Sequence, residues 1–401
     1  MTIAPHDNSA IAARQRLDRL EQFLGEDPDN PILRTDAFEA ALRCGEWMRA
    51  ATHLQHAQAQ GHDELAWALR EGDFWMAQRN WDRAYPVLTD LLARSPVPAG
   101  FMHTVLHNLA YIDYRREEYA AGAQRLASLM EESEPPPSHA ALQLLWLRIL
   151  HRLGDLARAC RWTAAAESSG ALAPQAAGVA SLIAVDAADL AAARRWSNIA
   201  LNANAFTPRS IEALVTQATL ALAVQDAVGA KSLADEALHI NPAEGRAWSV
   251  RAYADLLVGD LQAAHKHFEQ ALSALPEHIG TWHGQGWTQI MRNELDAAQA
   301  TFETALAMDR NFAESHGGLA VVLALKKMGH AAQGHIDRAF GLDQTNLSGR
   351  YAQAIVNGEV QDAAALQRFA RRLLATRAAP MGGQMADWLP GKPPSGSQYE
   401  H

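Results

Sequence analysis

Histidine is the residue type here best able to do chemistry, since imidazole ligates metals and exchanges protons near neutral pH, and 17 occur in 401 residues. His103 and His107 lie four apart, which puts both rings on one helix face; His53 with His56, and His265 with His267, are also close. Zinc takes three or four ligands, each steadied by a further hydrogen-bond partner, and no acidic residue shares the His103/His107 turn. These histidines are therefore expected on the surface or in hydrogen bonds, with no metal and no cofactor. Cys44 and Cys160 sit more than a hundred residues apart in helical patterns and read as buried thiols. Two cysteines can build neither a disulfide framework nor a paired CxxC zinc site. The dinucleotide-binding glycine fingerprint, the phosphate-binding loop, the HExxH helix and the GxSxG turn are all missing. No catalytic residue is expected, and the protein reads as something other than an enzyme.

Composition points to the elements that must position any site. Hydrophobic residues make up 48% and charged residues 20%, so a large core can be buried, while aromatics reach only 7%. Abundant alanine suits close helix–helix contact and does not suit sheets, which favour branched and aromatic side chains. Thirty-five basic against 45 acidic residues give a net charge of −10, which opposes nucleic acid as a partner. Basic residues are nearly all arginine, the pattern of GC-rich bacterial genomes; the lysines are Lys231, Lys266, Lys326, Lys327 and Lys392. Residues 1–10 have neither the basic nor the apolar segment of a signal peptide. The apolar stretch from Val179 to Ala193 is broken by Asp186 and Asp189, short of the roughly 18 uncharged residues of a membrane span. A soluble, cytoplasmic protein with no membrane partner is expected.

One period organises the sequence. Trp248 and Trp282 are 34 apart, and the same step links Phe268, Phe302 and Ile336, then Ala264, Ala298 and Ala332. Ala237, Ala271, Ala305 and Ala339 form another series, and Pro242 with Pro276 a fifth. Within one unit, Trp248, Ala252, Leu256 and Leu257 have helical spacing, Gly259-Asp260 interrupts it, and a second helix runs from Leu261 to Leu275. Pro276 ends the unit. Neither helix can bury its apolar stripe without its neighbour.

This spacing of Trp, small residue, aromatic and Pro resembles the tetratricopeptide repeat. Trp248, Ala252, Ala264, Phe268, Ala271 and Pro276 carry the likeness best, followed by Trp282, Gly286, Ala298, Phe302 and Ala305. Units beginning near Ile211 and Ala313 also fit, and upstream turns at residues 44–47, 79–81, 116–119 and 154–156 follow steps of 34, 38 and 37. The resemblance covers residues 30–345 and implies an all-α, right-handed superhelical α-solenoid of about nine helix pairs with a degenerate C-terminal cap. The predicted organisation is a lead-in helix in residues 1–30, divergent pairs in 31–210, well-matched units in 211–346, and polar capping helices in 347–377. Residues 378–401, rich in Pro and Gly, read as a flexible tail with Trp388 and Leu389 as an anchor within it.

The resemblance also implies that the first helix of each pair lines a concave face. Projected onto it are Tyr111 and Arg115, then Arg148 and Arg152, then Arg246 and Tyr253, then His283, Trp287 and Met291. Aromatics, methionine and arginine are the types enriched at binding hot spots. His283, Trp287, Ile290 and Met291 are expected to form a partly exposed apolar patch flanked by Arg246 and Tyr253, suited to a peptide with bulky apolar anchors and an acidic group for Arg246. Trp47, Trp81, Trp248 and Trp282 read as core. Family members that clamp a chaperone C-terminus present Lys and Asn, then Lys and Arg; here those faces show Val215 and Thr219, Ser249 and Tyr253, Gly280 and Gly284. The membrane anchor and two-CxxC knuckle of another bacterial group are also missing. What is expected is a non-enzymatic scaffold binding a protein or peptide partner on its concave face. The alternative is a regulatory or assembly subunit of a bacterial enzyme or secretion complex that docks by its convex face or caps.

Overall fold

The structure is a computed structural model that describes residues 5–374, apart from 62, 95–97, 133–138, 204–208 and 362. The anticipated tail, with Trp388 and Leu389, lies outside the described residues, as does Pro208. Every regular element among the described residues is a helix, and the chain divides into two units, up to Leu172 and from Ala173. The first unit contains α1 (Pro5–Glu26), α2 (Pro31–Cys44), α3 (Trp47–Ala59), α4 (Glu64–Ala77), α5 (Trp81–Ala93), α6 (Ala99–Arg115), α7 (Tyr119–Glu131), α8 (Ala140–Arg152) and α9 (Leu156–Ser168). The second begins with α10 (Pro174–Asp186), α11 (Leu190–Leu201), α12 (Ile211–Ala223), α13 (Ala227–Ile240), α14 (Gly245–Leu257) and α15 (Leu261–Ala274). It continues with α16 (Ile279–Met291), α17 (Leu295–Met308), α18 (Ala313–Leu325), α19 (Gly329–Leu342), α20 (Leu347–Val356) and α21 (Ala363–Leu374). From α2 onward these form nine described pairs and a tenth, α20/α21, in the capping position. No described helix is long and apolar enough to cross a membrane.

A single backbone device joins the two helices of every pair. Gly45, Arg79, Glu117, Gly154, Ala188, Gln225, Gly259, Asn293, Lys327 and Gly358 all take positive φ, between 56° and 80°, at the same point of successive turns. Glycine accepts that conformation at no steric cost, whereas other L-residues give up roughly 1–2 kcal/mol. In the first nine pairs the next residue is the N-cap of the second helix, whereas α21 starts at Ala363, five residues after Gly358. Where the N-cap is Asn80, Asp155, Asp189, Asp226 or Asp260, its side chain accepts a hydrogen bond from a backbone N–H of the first turn.

Packing between pairs in the second unit follows a volume rule. From α13 to α19, each odd-numbered helix sends one core residue toward the next even-numbered helix, and the two sizes are complementary. Ala234 packs with Val250, Phe268 against Gly284, Phe302 against Gly318, and Ile336 with Ala352. A Cβ on Gly284 would collide with the Phe268 ring, and one on Gly318 with the Phe302 ring. The 34-residue tryptophans have a second role beside packing: Trp248 Nε1 donates to the Pro242 carbonyl at 2.9 Å, and Trp282 Nε1 to the Pro276 carbonyl at 2.7 Å. None of the four tryptophans expected in the core is fully buried: Trp81, Trp248 and Trp282 are half-buried, and Trp47, which starts α3, is 37% exposed.

Candidate functional site

In the second unit the even-numbered helices form a continuous layer, each touching the next even-numbered helix. Helices two steps apart also meet. Arg246 on α14 reaches past α12 to Asp186 at the end of α10, with both guanidinium nitrogens 2.9 Å from the carboxylate oxygens. Trp287 and Ile290 on α16 pack in one cluster with Tyr351 and Ile355 on α20, across α18. A layer whose alternate members meet lies on the inside of a curve, so the even-numbered face is the concave side of this unit. Buried hydrogen bonds stitch the layer: Ser181 to Thr216 at 3.0 Å, Thr281 to Ser249 at 3.1 Å, His283 to Ser315 at 2.7 Å, and Ser348 to Glu314.

That curvature changes the expected patch. His283 is only 7% exposed, held between the rings of Phe302 and Phe312 with its Nε2 on the Ser315 hydroxyl. Burial, with His278 nearby, lowers its pKa to about 4, so the ring is neutral. The Arg246 guanidinium donates to a carboxylate of its own chain, so it is not an open donor to a ligand's acidic group. Tyr253 donates its hydroxyl proton to the Gly280 carbonyl at 2.7 Å and sets its ring edge-on to Phe268. Of the five candidates in this unit, Trp287 stays half-buried and Met291 is 51% exposed. The expected partly exposed patch of four residues is thus corrected to these two with half-buried Ile290, because the curved layer draws His283 into its own packing.

Trp287 opens instead onto a cleft of about 220 Å³ lined by Leu347, Ser348 and Tyr351 of α20 and by Phe369, Ala370 and Leu373 of α21. Ser348 is the one lining residue whose side chain is neither aliphatic nor aromatic, and its hydroxyl is taken by Glu314. The ring of Phe369 lies 6.4 Å from that of Tyr351. Sequence reasoning missed both aromatics because it treated residues 347–377 only as polar capping helices. The spacing of Phe369 and Leu373, four apart on one helix face, is the signal that could have revealed them.

In the first unit four candidates fall on α6 and α8. The Tyr111 ring stacks with His107 and stands edge-on to Trp81, and its hydroxyl accepts from Arg115 at 3.1 Å. Arg115 lies 5.6 Å over the Trp81 ring, so that tryptophan serves a cationic-aromatic cluster as well as packing. Arg152 is hydrogen-bonded to the Tyr114 side chain, which raises its pKa further. Arg148 is exposed on α8. The paired histidines serve other purposes: His53 meets Glu21 at 3.0 Å, His107 meets Asn108 at 3.1 Å and His267 meets buried Asp255 at 2.6 Å. Among the described residues no three His, Cys, Asp or Glu side chains are grouped to hold a metal ion. Cys44 and Cys160 form no disulfide and are half-buried, against the fully buried state expected.

Comparison with known proteins follows the same lines. The tetratricopeptide-repeat family model matches residues 255–322. No protein of curated function matches the chain in sequence. Among solved structures, a monomeric IFIT1 variant with m7Gppp-AAAA is similar over 85% of this chain and 85% of its own, at 12% identity and a TM-score of 0.52. A tetratricopeptide repeat protein from Parabacteroides merdae is similar over 64% of this chain and 99% of its own, at 17% identity and a TM-score of 0.45. The Cut9–Hcn1 assembly of the APC/C is similar over 84% of this chain and 77% of its own, at 14% identity and a TM-score of 0.42. With the 34-residue period, the paired helices and the family match, residues 255–322 are tetratricopeptide repeats within an all-α solenoid.

Proposed function

We propose that this chain is a non-enzymatic, cytoplasmic scaffold that binds a peptide or protein segment on the concave, even-numbered face of its second unit, at the cleft against Trp287. The observation that carries the reading is the cleft itself: six apolar residues from α16, α20 and α21 around about 220 Å³ with one polar neighbour. A concave apolar pocket with few polar groups is the usual form of a binding site for a bulky anchor residue. Trp287 and exposed Met291 extend that surface with residue types that dominate binding energies. Tyr111, Arg115, Arg148 and Arg152 are the corresponding contact residues of the first unit, where cations and rings are paired. A net charge of −10 supports a protein partner over nucleic acid. Display selection of peptides against the full chain tests the reading. Selected peptides should carry an aromatic or aliphatic anchor, and Trp287→Ala should weaken them by about thirtyfold or more, the effect of losing a ~2 kcal/mol hot spot. Equal selection and equal affinity on both proteins would overturn it.

A second reading has its own support. Val224, Leu257, Val258, Met291 and Met328 are all exposed at the turns between paired helices, recurring near the 34-residue step. This apolar edge suits an assembly or regulatory subunit that docks by its rim. Val258→Asp should then abolish partner binding while Trp287→Ala leaves it intact.

A further inference from the structure

The cleft beside Trp287 has an occupant of the right size in this chain's own sequence. A cavity of roughly 150 Å³ holds a benzene ring, so about 220 Å³ suits a two-ring group. Beyond Trp287 the sequence contains one further tryptophan, Trp388, followed directly by Leu389. The pair is flanked by Pro380, Gly382, Gly383, Pro390 and Gly391, residues that provide no helical face on which it could be buried. Exit and reach agree with this. Leu373 lines the cleft, and the described chain leaves α21 at Leu374, the next residue. Trp388 is fourteen steps along the chain from Leu374, and an extended chain of that length spans at most about 50 Å, far more than a return to the adjacent cleft needs.

We infer that Trp388 and Leu389 fold back and fill the cleft formed by Trp287, Tyr351, Leu347, Phe369 and Leu373, so that the C-terminal segment competes with a partner for this site. The inference rests on the proposed reading of the cleft as a binding site and names its resident ligand. Tethering gives the segment an effective concentration of about 1 mM. A segment with an intrinsic dissociation constant near 0.1 mM would therefore fill the cleft about nine-tenths of the time and weaken any competitor about tenfold.

The test uses a fluorescein-labelled peptide of residues 383–394, titrated against the full chain and its Trp388→Ala variant and read by fluorescence anisotropy. The peptide should bind the variant saturably and bind the wild-type chain about tenfold more weakly, because the wild-type cleft is already filled. Leu373→Asp in the Trp388→Ala background should abolish binding. Unchanged far-UV circular dichroism would show that the fold survives, and Ala370→Arg serves as a second block should Leu373→Asp unfold α21. Equal binding to wild type and Trp388→Ala, or binding to neither, overturns the inference. So does a wild-type dimer that dissociates on Trp388→Ala, which would place the segment in a second copy. Display-selected peptides that bind Trp388→Ala through Trp287 while the 383–394 peptide does not would overturn this inference and leave the proposed function standing.

Discussion

Exchanging the two members of one junction tests the volume rule of the second unit directly. Phe302 is 0% exposed, and its ring rests on the backbones of Gly286 and Gly318, where a Cβ at Gly286 would come within 2.7 Å of the ring. Truncating such a phenylalanine costs about 3–5 kcal/mol, and two glycines have no side chain that could relax into the space, which places Phe302→Ala near the upper end. Gly318→Val alone drives a branched side chain into the ring and should cost about 1–3 kcal/mol or more. The double variant recreates the pairing of Ala234 with Val250, and burying the valine returns roughly 1.5–3 kcal/mol. It should therefore be more stable than Phe302→Ala by about 1–2 kcal/mol, where independent effects would make it less stable than either single variant. Urea unfolding followed by tryptophan fluorescence and circular dichroism gives the three values. Because repeats couple mainly to their neighbours, Phe302→Ala should also split off an early transition from α16–α21. An additive double variant, or one cooperative transition for the entire chain in Phe302→Ala, would refute the reasoning.

Other outcomes follow from single sites. His283 has a folded pKa of about 4, below its ordinary value near 6.5, so its contribution is whole above pH 6.5 and is lost as pH falls through 4, approaching about 3 kcal/mol. His283→Gln should flatten the acid side of the second unit's stability profile. Burial raises the Asp73 carboxyl to about 6, partly offset by Asn108, so its contribution is whole at about pH 4 and is lost as pH rises through 6. Asp73→Asn should raise the first unit's melting temperature at pH 8 more than at pH 5. Lys327 holds positive φ at the α18/α19 turn, and Met328 begins α19 without a side-chain cap. Lys327→Gly with Met328→Asp should stabilise by about 1–2 kcal/mol in urea unfolding; a loss would show that the exposed Met328 packs on something.

Local chemistry made much of this protein legible before any coordinates. Periodic Trp, Ala, Phe and Pro specify helix pairs because an amphipathic stripe and its stop signals act within one or two turns of chain. The volume rule was half visible: the series Phe268, Phe302 and Ile336 could be read, while its partners Gly284, Gly318 and Ala352 make sense only beside them. Glu117, Ala188 and Gln225 occupy left-handed turns that no glycine advertises, since the packing of the two helices imposes the backbone there and outweighs local preference. The candidate residues fall on the first helices of their pairs, yet their exposure could not be read from the period. Whether Arg246 is open to a ligand depends on Asp186, sixty residues earlier, and whether Trp287 faces solvent or a cleft depends on Tyr351 and Phe369. Those distances are set by the curvature summed over several helix–helix angles. A sequence period determines each repeat, but small rotations between repeats accumulate, and only their sum decides which side chains meet.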